Sequence, residues 1–408
     1  MRHRRSWCVF LIGLGTGIVP LDSAVNIAFP AITRAFGGPL QSIQWLVIAY
    51  VLTYASLLLA VGRVGDLLSH AAVFRWGLAW SAVALLLCAL APTYPMLLWA
   101  RVGQGIGTAL VLACGPALLT GLYPAGERTH ALGLYAMMFA LGAAAGPIIG
   151  GALIGIWGWP AVFWFRVPVA GTAALLLPPL PRQPRASGAR PFVDLRAAVL
   201  LFRSVSFALI NLGSILVNLA SFAVLLLVPY YLVRIGALSD AAAGGVLATW
   251  AVGTVAGSPA GARLVRRWGA RRVATAGALL AAAGLALVAT ADAGGGLSGL
   301  VPSLVLQGFG LGLFQVAYLD LVTGTIAQSA RGVAGGLAML TRVLGFLIGA
   351  SLLASVYAIA ERRAGGAPAD AFLGGFRMTF AVAAAVTLVV PSFDLLGRLA
   401  RRSDQDSA

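Results

Sequence analysis

The sequence predicts an all-α integral membrane protein whose twelve transmembrane helices form two six-helix, pseudo-symmetric bundles. Three observations carry this expectation. Apolar residues make up 60% of the 408-residue chain and charged residues only 10%, whereas a soluble domain averages about 25% charged. Mean hydropathy is +0.94, and apolar runs of about 20 residues, the length that crosses a bilayer core, recur along the whole chain. One long polar stretch, rich in proline and arginine, separates these runs into six and six.

The spans fall at roughly 7–29, 42–61, 72–91, 95–117, 131–154 and 161–180, then at 205–232, 241–261, 272–291, 298–320, 331–356 and 374–397. The first follows Arg2, Arg4 and Arg5, as a signal peptide would. Its apolar stretch exceeds the usual core of about 7–15 residues, and a second span follows at once, so it is expected to remain as a membrane helix. The polar stretch from Pro178 to Arg203 holds Pro178, Pro179, Pro181, Pro184 and Pro191 and five arginines. Residues 1–180 are therefore expected to form the first bundle, 181–203 a cytoplasmic linker, and 204–408 the second bundle with a short cytoplasmic tail.

The net charge of +16 comes from 28 basic residues, every one an arginine. Placing the N-terminus in the cytoplasm puts 20 of these 28 on the inner side, so membrane topology explains the basic balance and both termini are expected inside. Nucleic-acid binding is not implied. Without lysine there is no Gly-Lys-Ser/Thr phosphate loop, which excludes ATP-driven transport by this chain alone. Cys8, Cys88 and Cys114 lie in apolar spans with no C-x-x-C spacing, and His3, His70 and His130 are scattered, so neither a disulfide framework, a metal site nor a cofactor is expected. No nucleophile, base and acid appear together, and an enzyme is not expected.

Four stretches carry a family resemblance. Leu21-Asp22-Ser23-Ala24-Val25-Asn26-Ile27-Ala28-Phe29-Pro30, with Gln44-Trp45 and Tyr50 in span 2, resembles the signature of drug:proton antiporters of the major facilitator superfamily. Arg101-Val102-Gly103-Gln104-Gly105 resembles that superfamily's intramembrane Arg-x-x-Gln-Gly motif. Gly142-Ala143-Ala144-Ala145-Gly146-Pro147-Ile148-Ile149-Gly150-Gly151 resembles its antiporter motif, and Thr341-Arg342 with Gly345 and Gly349 its second-half pattern. The resemblance implies the major facilitator fold, with spans 1, 4, 7 and 10 lining a central cavity. It also implies proton-coupled export of a small amphipathic molecule (a drug, antibiotic or secondary metabolite) across the cell membrane. Two departures stand out. Close relatives of this kind usually have fourteen spans, but a polar stretch of about 25 residues does not cross a membrane twice. The loop motif Gly-x-x-x-Asp-Arg-x-Gly-Arg-Arg keeps Gly62 and Asp66 and loses its later basic residues, which weakens the implied gating cluster.

Candidate roles follow. Asp22 is the one acid well inside the hydrocarbon region of the first half, which makes it a candidate proton site. Counted along straight helices at 1.5 Å per residue, it lies roughly 10 Å from the outer end of span 1, and Arg101 roughly 9 Å from the same surface, so the two form a candidate pair. Asn26, Tyr50, Tyr54, Gln104, Gln307, Gln315 and Arg342 are candidate cavity residues, although Gln104, Gln307 and Gln315 suit interhelical packing as well. Arg342 and Arg166 either meet polar groups or simply snorkel or cap a helix. Gly142, Gly146 and Gly150, at i, i+4 and i+8, make a smooth stripe beside Pro147, read with Gly62 and Asp66 as conformational elements. The arginine excess inside the spans favours a neutral, zwitterionic or weakly anionic cargo, with Arg342 as its expected contact. The expected partners are the lipid bilayer, protons and the cargo, with the chain a monomer. The alternatives are a metabolite importer of the same superfamily and a membrane sensor or scaffold that does not transport.

Overall fold

In the computed structural model the described residues are 2–124, 127–178, 204–292, 296–324 and 331–393, and they are helical with turns between. The linker 181–203, together with Asp394, lies outside them. Among them, eleven helices are long and apolar enough to cross a membrane, and a shorter apolar pair, Ala161–Leu176, lies where the sixth span was expected. The chain gathers into two compact units, residues 1–193 with 240–244 and residues 194–239 with 245–408.

The first unit opens with a broken span. Helix α1 (Arg2–Gly17) gives way to a 3-10 turn at Pro20–Ser23, from which α2 (Ala24–Phe36) continues. Proline has no N–H for the helical ladder and its ring crowds the preceding turn, so the break sits at Pro20. Helix α2 ends at Gly37, where φ is +64° and the Gly37 N–H donates to the Arg34 carbonyl, a left-handed stop that glycine adopts without strain. Span 1 thus runs to Phe36 rather than to residue 29, and Arg34 lies in its last helical turn instead of in a loop. Hydropathy did not show this because Thr33 and Arg34 dilute the apolar pattern while the backbone stays helical.

The next helices are α3 (Ile43–Leu67), α4 (His70–Ala89), α5 (Tyr94–Gly121) and α6 (Arg128–Trp157). Thr93 caps α5, its side chain accepting from the Met96 N–H at 3.4 Å, and Pro95 occupies the first turn where no donor is needed. The sixth span is interrupted at Phe165 between α7 (Ala161–Trp164) and α8 (Arg166–Leu176). Gly62 and Asp66 lie on the last turns of α3, and their surroundings lie outside the described residues.

The second unit contains α9 (Val205–Arg234), most of α10 (Asp240–Trp268), α11 (Ala270–Val288), α12 (Leu297–Gly324), α13 (Arg331–Ala364) and α14 (Pro368–Leu388). The last span therefore starts at Pro368, before the expected residue 374. Glycines bring these helices together backbone to backbone. A Cβ on Gly310 would lie 2.7 Å from the Gly277 carbonyl of α11, and one on Gly312 would lie 3.0 Å from the Ser258 nitrogen of α10. The Gly308-Phe309-Gly310-Leu311-Gly312 run thus serves close helix packing on two faces at once.

Candidate functional site

Asp22 sits in the Pro20–Ser23 turn, at the break in span 1. A helix broken there presents a side chain at an angle no continuous helix offers, and α5 and α8 meet it with cations. Arg101 of α5 binds the carboxylate through both amino groups, Nη1 to Oδ1 at 2.8 Å and Nη2 to Oδ2 at 2.9 Å. This two-pronged arrangement is the strongest hydrogen-bonded form of an ion pair. Gln104, one turn along α5, donates from Nε2 to Oδ1 at 2.9 Å and accepts from Arg101 Nη1 at 2.7 Å. Arg166, the first residue of α8, donates from Nη1 to the same Oδ1 at 2.9 Å.

The arginines are themselves fixed. Arg101 Nε donates to the Leu46 carbonyl at 3.2 Å, and its guanidinium lies 4.2 Å from the centre of the Tyr50 ring. The Tyr50 hydroxyl accepts from Thr108 Oγ1 at 3.2 Å, and its ring meets Tyr54 edge-on at 5.2 Å. Arg166 Nε donates to Val162 O at 3.1 Å. Arg101 is 2% exposed and Arg166 0%, whereas the Asp22 side chain keeps 13%, so the acid is the least buried of the three charges. Asn26 is half-buried, one turn beyond Asp22 on α2.

The expected Asp22–Arg101 pair is present, but two parts of the reasoning behind it need correction. Span 1 is broken and seven residues longer than read, so counting depth along a straight helix does not apply to it. Arg166 neither snorkels nor only caps a helix; it is a second cation on the same carboxylate. Tyr50 and Tyr54 are buried; Tyr50 lies beneath Arg101, and Tyr54 packs edge-on against Tyr50.

The glycine stripe belongs to this site. A Cβ on Gly142 would lie 2.7 Å from Pro20 Cγ and 2.9 Å from the Gly17 carbonyl; one on Gly150 would lie 2.9 Å from Ala24 Cβ. A Cβ on Gly146 would overlap Ser23 Oγ and lie 3.0 Å from the Ala24 nitrogen. Ser23 Oγ donates to the Ala143 carbonyl at 3.0 Å, stitching the turn to α6. The stripe beside Pro147 is therefore the bed for the broken segment that carries Asp22.

In the second unit Gln307 donates to Ser221 Oγ at 2.8 Å and accepts from Trp250 Nε1, tying α12 to α9 and α10. Its packing role is thus occupied. Gln315 and Arg342 are half-buried, with the Arg342 guanidinium 5.6 Å from the centre of the Phe346 ring. Sequence reasoning missed a polar seam on α9: Asn211, Ser214, Asn218 and Ser221, all buried. Tyr318 of α12 donates to Asn211 Oδ1 at 3.0 Å and lies 2.8 Å from Thr341 Oγ1, which is 3.3 Å from Ser214 Oγ. The spacing i, i+3, i+7, i+10 on one helix face was the available signal. An open cavity adjoins it, lined by residues that include Ser206, Arg271, Phe314, Tyr318 and Phe393.

The family model of the Major Facilitator Superfamily matches residues 6–350 and, in a second match, 210–406. The chain belongs to this superfamily. It is a multi-pass membrane transporter and not an enzyme. Among proteins of similar sequence, the tetracenomycin C resistance and export protein of Streptomyces glaucescens is 29% identical over 408 residues, covering 86% of this chain and 75% of that protein. The puromycin resistance protein pur8 of Streptomyces alboniger is 28% identical, covering 95% and 90%. The riboflavin transporter RibZ of Clostridioides difficile is 24% identical, covering 87% and 89%. Among solved structures, a bacterial homolog of the human lysosomal transporter Spinster, inward-facing and unoccupied, superposes with a TM-score of 0.79 at 18% identity over 97% of each chain. The nucleoside transporter NupG gives 0.75 at 14%, over 96% of this chain and 98% of the other.

Proposed function

We propose that the chain is a proton-coupled secondary transporter that exports a small amphipathic molecule by alternating access. The observation that supports this best is Asp22, a carboxylate held by two guanidinium groups inside a membrane-spanning unit and still partly exposed. Such a group is costly in hydrocarbon even when paired, which is why an intramembrane acid points to a function. Taking a proton would turn one carboxylate oxygen from an acceptor into a donor and weaken the bonds from Arg101, Gln104 and Arg166. The turn that carries Asp22 lies in the glycine bed of α6, so release from α5 and α8 frees the broken segment to shift against α6. In this reading residues 1–180 and 204–408 are the two moving bundles in the cell membrane, joined by a cytoplasmic linker, with both termini in the cytoplasm.

Export is favoured by the relatives whose names state resistance or export of antibiotics. The riboflavin transporter, named for a metabolite and without a direction, leaves a metabolite importer as the second reading; accumulation in inverted vesicles under an imposed proton gradient separates the two. The deciding variant is Asp22→Asn. It is expected to abolish cargo-driven proton movement in proteoliposomes while the protein still inserts, and transport with an unchanged pH dependence would refute the assignment.

A further inference from the structure

The turn between α10 and α11 carries a charge that the proposed transport cycle does not use. Arg263, Arg266, Arg267, Arg271 and Arg272 fall within ten residues, and no acidic residue occurs between Asp240 and Asp292. Arg263, Arg266, Arg267 and Arg272 are exposed and, among the described residues, in no ion pair. Arg271 differs: it is half-buried, and its Nη2 donates to Ser206 Oγ of α9 at 3.2 Å. Helices α11 and α12 run antiparallel, with Gly277 against Phe314 and Gly284 against Gln307. Asp320, six residues beyond Phe314, is therefore level with Arg271, six residues before Gly277. That exposed acid stands alone at this level of α12, against five arginines.

Arg271 and Ser206, each the second residue of its helix, border the open cavity of the second unit. Behind them the lining turns apolar, with Leu209, Phe314, Leu321 and Val390. From Ser206 to Gly213, which packs on Val390, the cavity follows α9 for about 10 Å at 1.5 Å per residue. We infer that this cavity takes the acyl chain of an anionic bilayer phospholipid, whose phosphate meets Arg271. Cations where membrane helices begin lie at the depth of the headgroups, and basic pockets between such helices recognise headgroup phosphates. A guanidinium fork matches phosphate oxygens. A free inorganic anion would find no use for the apolar lining, whereas a hydrocarbon chain covers it. The four exposed arginines raise the local concentration of anionic lipid, and Arg271 with the apolar lining retains it. All of these residues belong to the second unit, so the site is independent of the proton on Asp22.

The test uses the full chain in detergent, with lipid binding read by native mass spectrometry. The probes are dioleoyl phosphatidylglycerol, dioleoyl phosphatidylcholine and inorganic phosphate. The wild-type protein is expected to bind phosphatidylglycerol about tenfold more tightly than phosphatidylcholine, whose phosphate is balanced by its own cation. Arg271→Gln should weaken phosphatidylglycerol about tenfold and erase that preference, whereas Arg272→Gln, which removes the same charge from the surface, should weaken it less than about threefold. Ala274→Leu narrows the cavity and keeps every charge; it should weaken binding about fivefold. Equal binding of the two lipids by the wild type would overturn the inference, as would wild-type binding in Arg271→Gln. Equal losses in Arg271→Gln and Arg272→Gln would mean attraction to surface charge alone, and unchanged binding in Ala274→Leu would place the acyl chain elsewhere; either outcome refutes the site. Inorganic phosphate displacing the lipid would assign Arg271 to a free anion instead. Where Arg271→Gln fails to fold, the two lipids on the wild type and the Ala274→Leu variant still decide.

Discussion

Gly146→Val perturbs the contact between α6 and the broken segment of span 1 and leaves the charged residues untouched. The first added carbon, the Cβ, would overlap Ser23 Oγ and stand 3.0 Å from the Ala24 nitrogen. Ser23 is able to rotate away, which forfeits its hydrogen bond to the Ala143 carbonyl, worth about 1 kcal/mol. The Ala24 backbone has no such freedom, and the two valine methyls add overpacking of about 1–3 kcal/mol. This arrangement of α6 against span 1 is thus destabilised by about 2–4 kcal/mol relative to any state in which the two separate, and about 1–3 kcal/mol already corresponds to a shift of roughly 5–150-fold between states. Gly146→Ala should show only the smaller part. The assay is cargo turnover in proteoliposomes alongside cargo affinity, for whichever compound the wild-type protein exports. Turnover should fall at least fivefold in Gly146→Val and less in Gly146→Ala, while affinity holds within about threefold. Normal turnover in correctly inserted Gly146→Val would refute the idea that this contact forms during the cycle.

Three further outcomes are expected. Arg101→Lys keeps the charge but replaces a two-pronged contact with a point charge and abandons the Leu46 carbonyl, so melting of the detergent-solubilised protein should show a loss of about 1.5–3 kcal/mol; unchanged stability would mean that the fork geometry is immaterial. Gln307→Leu leaves Ser221 and Trp250 without their shared partner, and should cost about 1–3 kcal/mol in stability without altering which compounds confer resistance phenotypes in an efflux-deficient host; a changed profile would assign Gln307 to the cargo site. Gly349→Leu places a large side chain where a Cβ would already lie 2.7 Å from the Leu219 carbonyl of α9, and should reduce folded yield sharply, whereas a well-folded variant would show that α9 and α13 are able to part.

The spans were legible because crossing a bilayer demands a run of apolar residues whatever their identity, and so α3 to α6 and α9 to α13 lie close to where composition puts them. What hydropathy does not encode is backbone continuity. Ile18, Val19, Pro20 and Leu21 keep the run apolar straight through the break, so Pro20 was the only mark of it. Asp22 and Arg101 were identifiable as a pair from their isolation in hydrocarbon. Arg166 was not, because a basic residue a few positions into a short span has the same sequence appearance whether it reaches the interface or turns inward. The distinction is made by what Arg166 meets: its side chain is fully buried, with Asp22 as its partner. The seam on α9 escaped notice because Asn and Ser at helical spacing barely lower the hydropathy of a 30-residue helix.

Helix α12 is flanked on two sides by glycine contacts, Gly308 and Gly312 toward α10 and Gly310 toward α11. At those three positions there is no side chain to enlarge, shorten or exchange, and any replacement meets a neighbouring backbone. Heritable variation in this helix is therefore channelled to its remaining surface, where Phe314, Tyr318 and Leu321 border the open cavity beside the α9 seam. Among descendants of one ancestral transporter, the second unit would then diverge in what that cavity accommodates long before it diverged in how its helices are stacked.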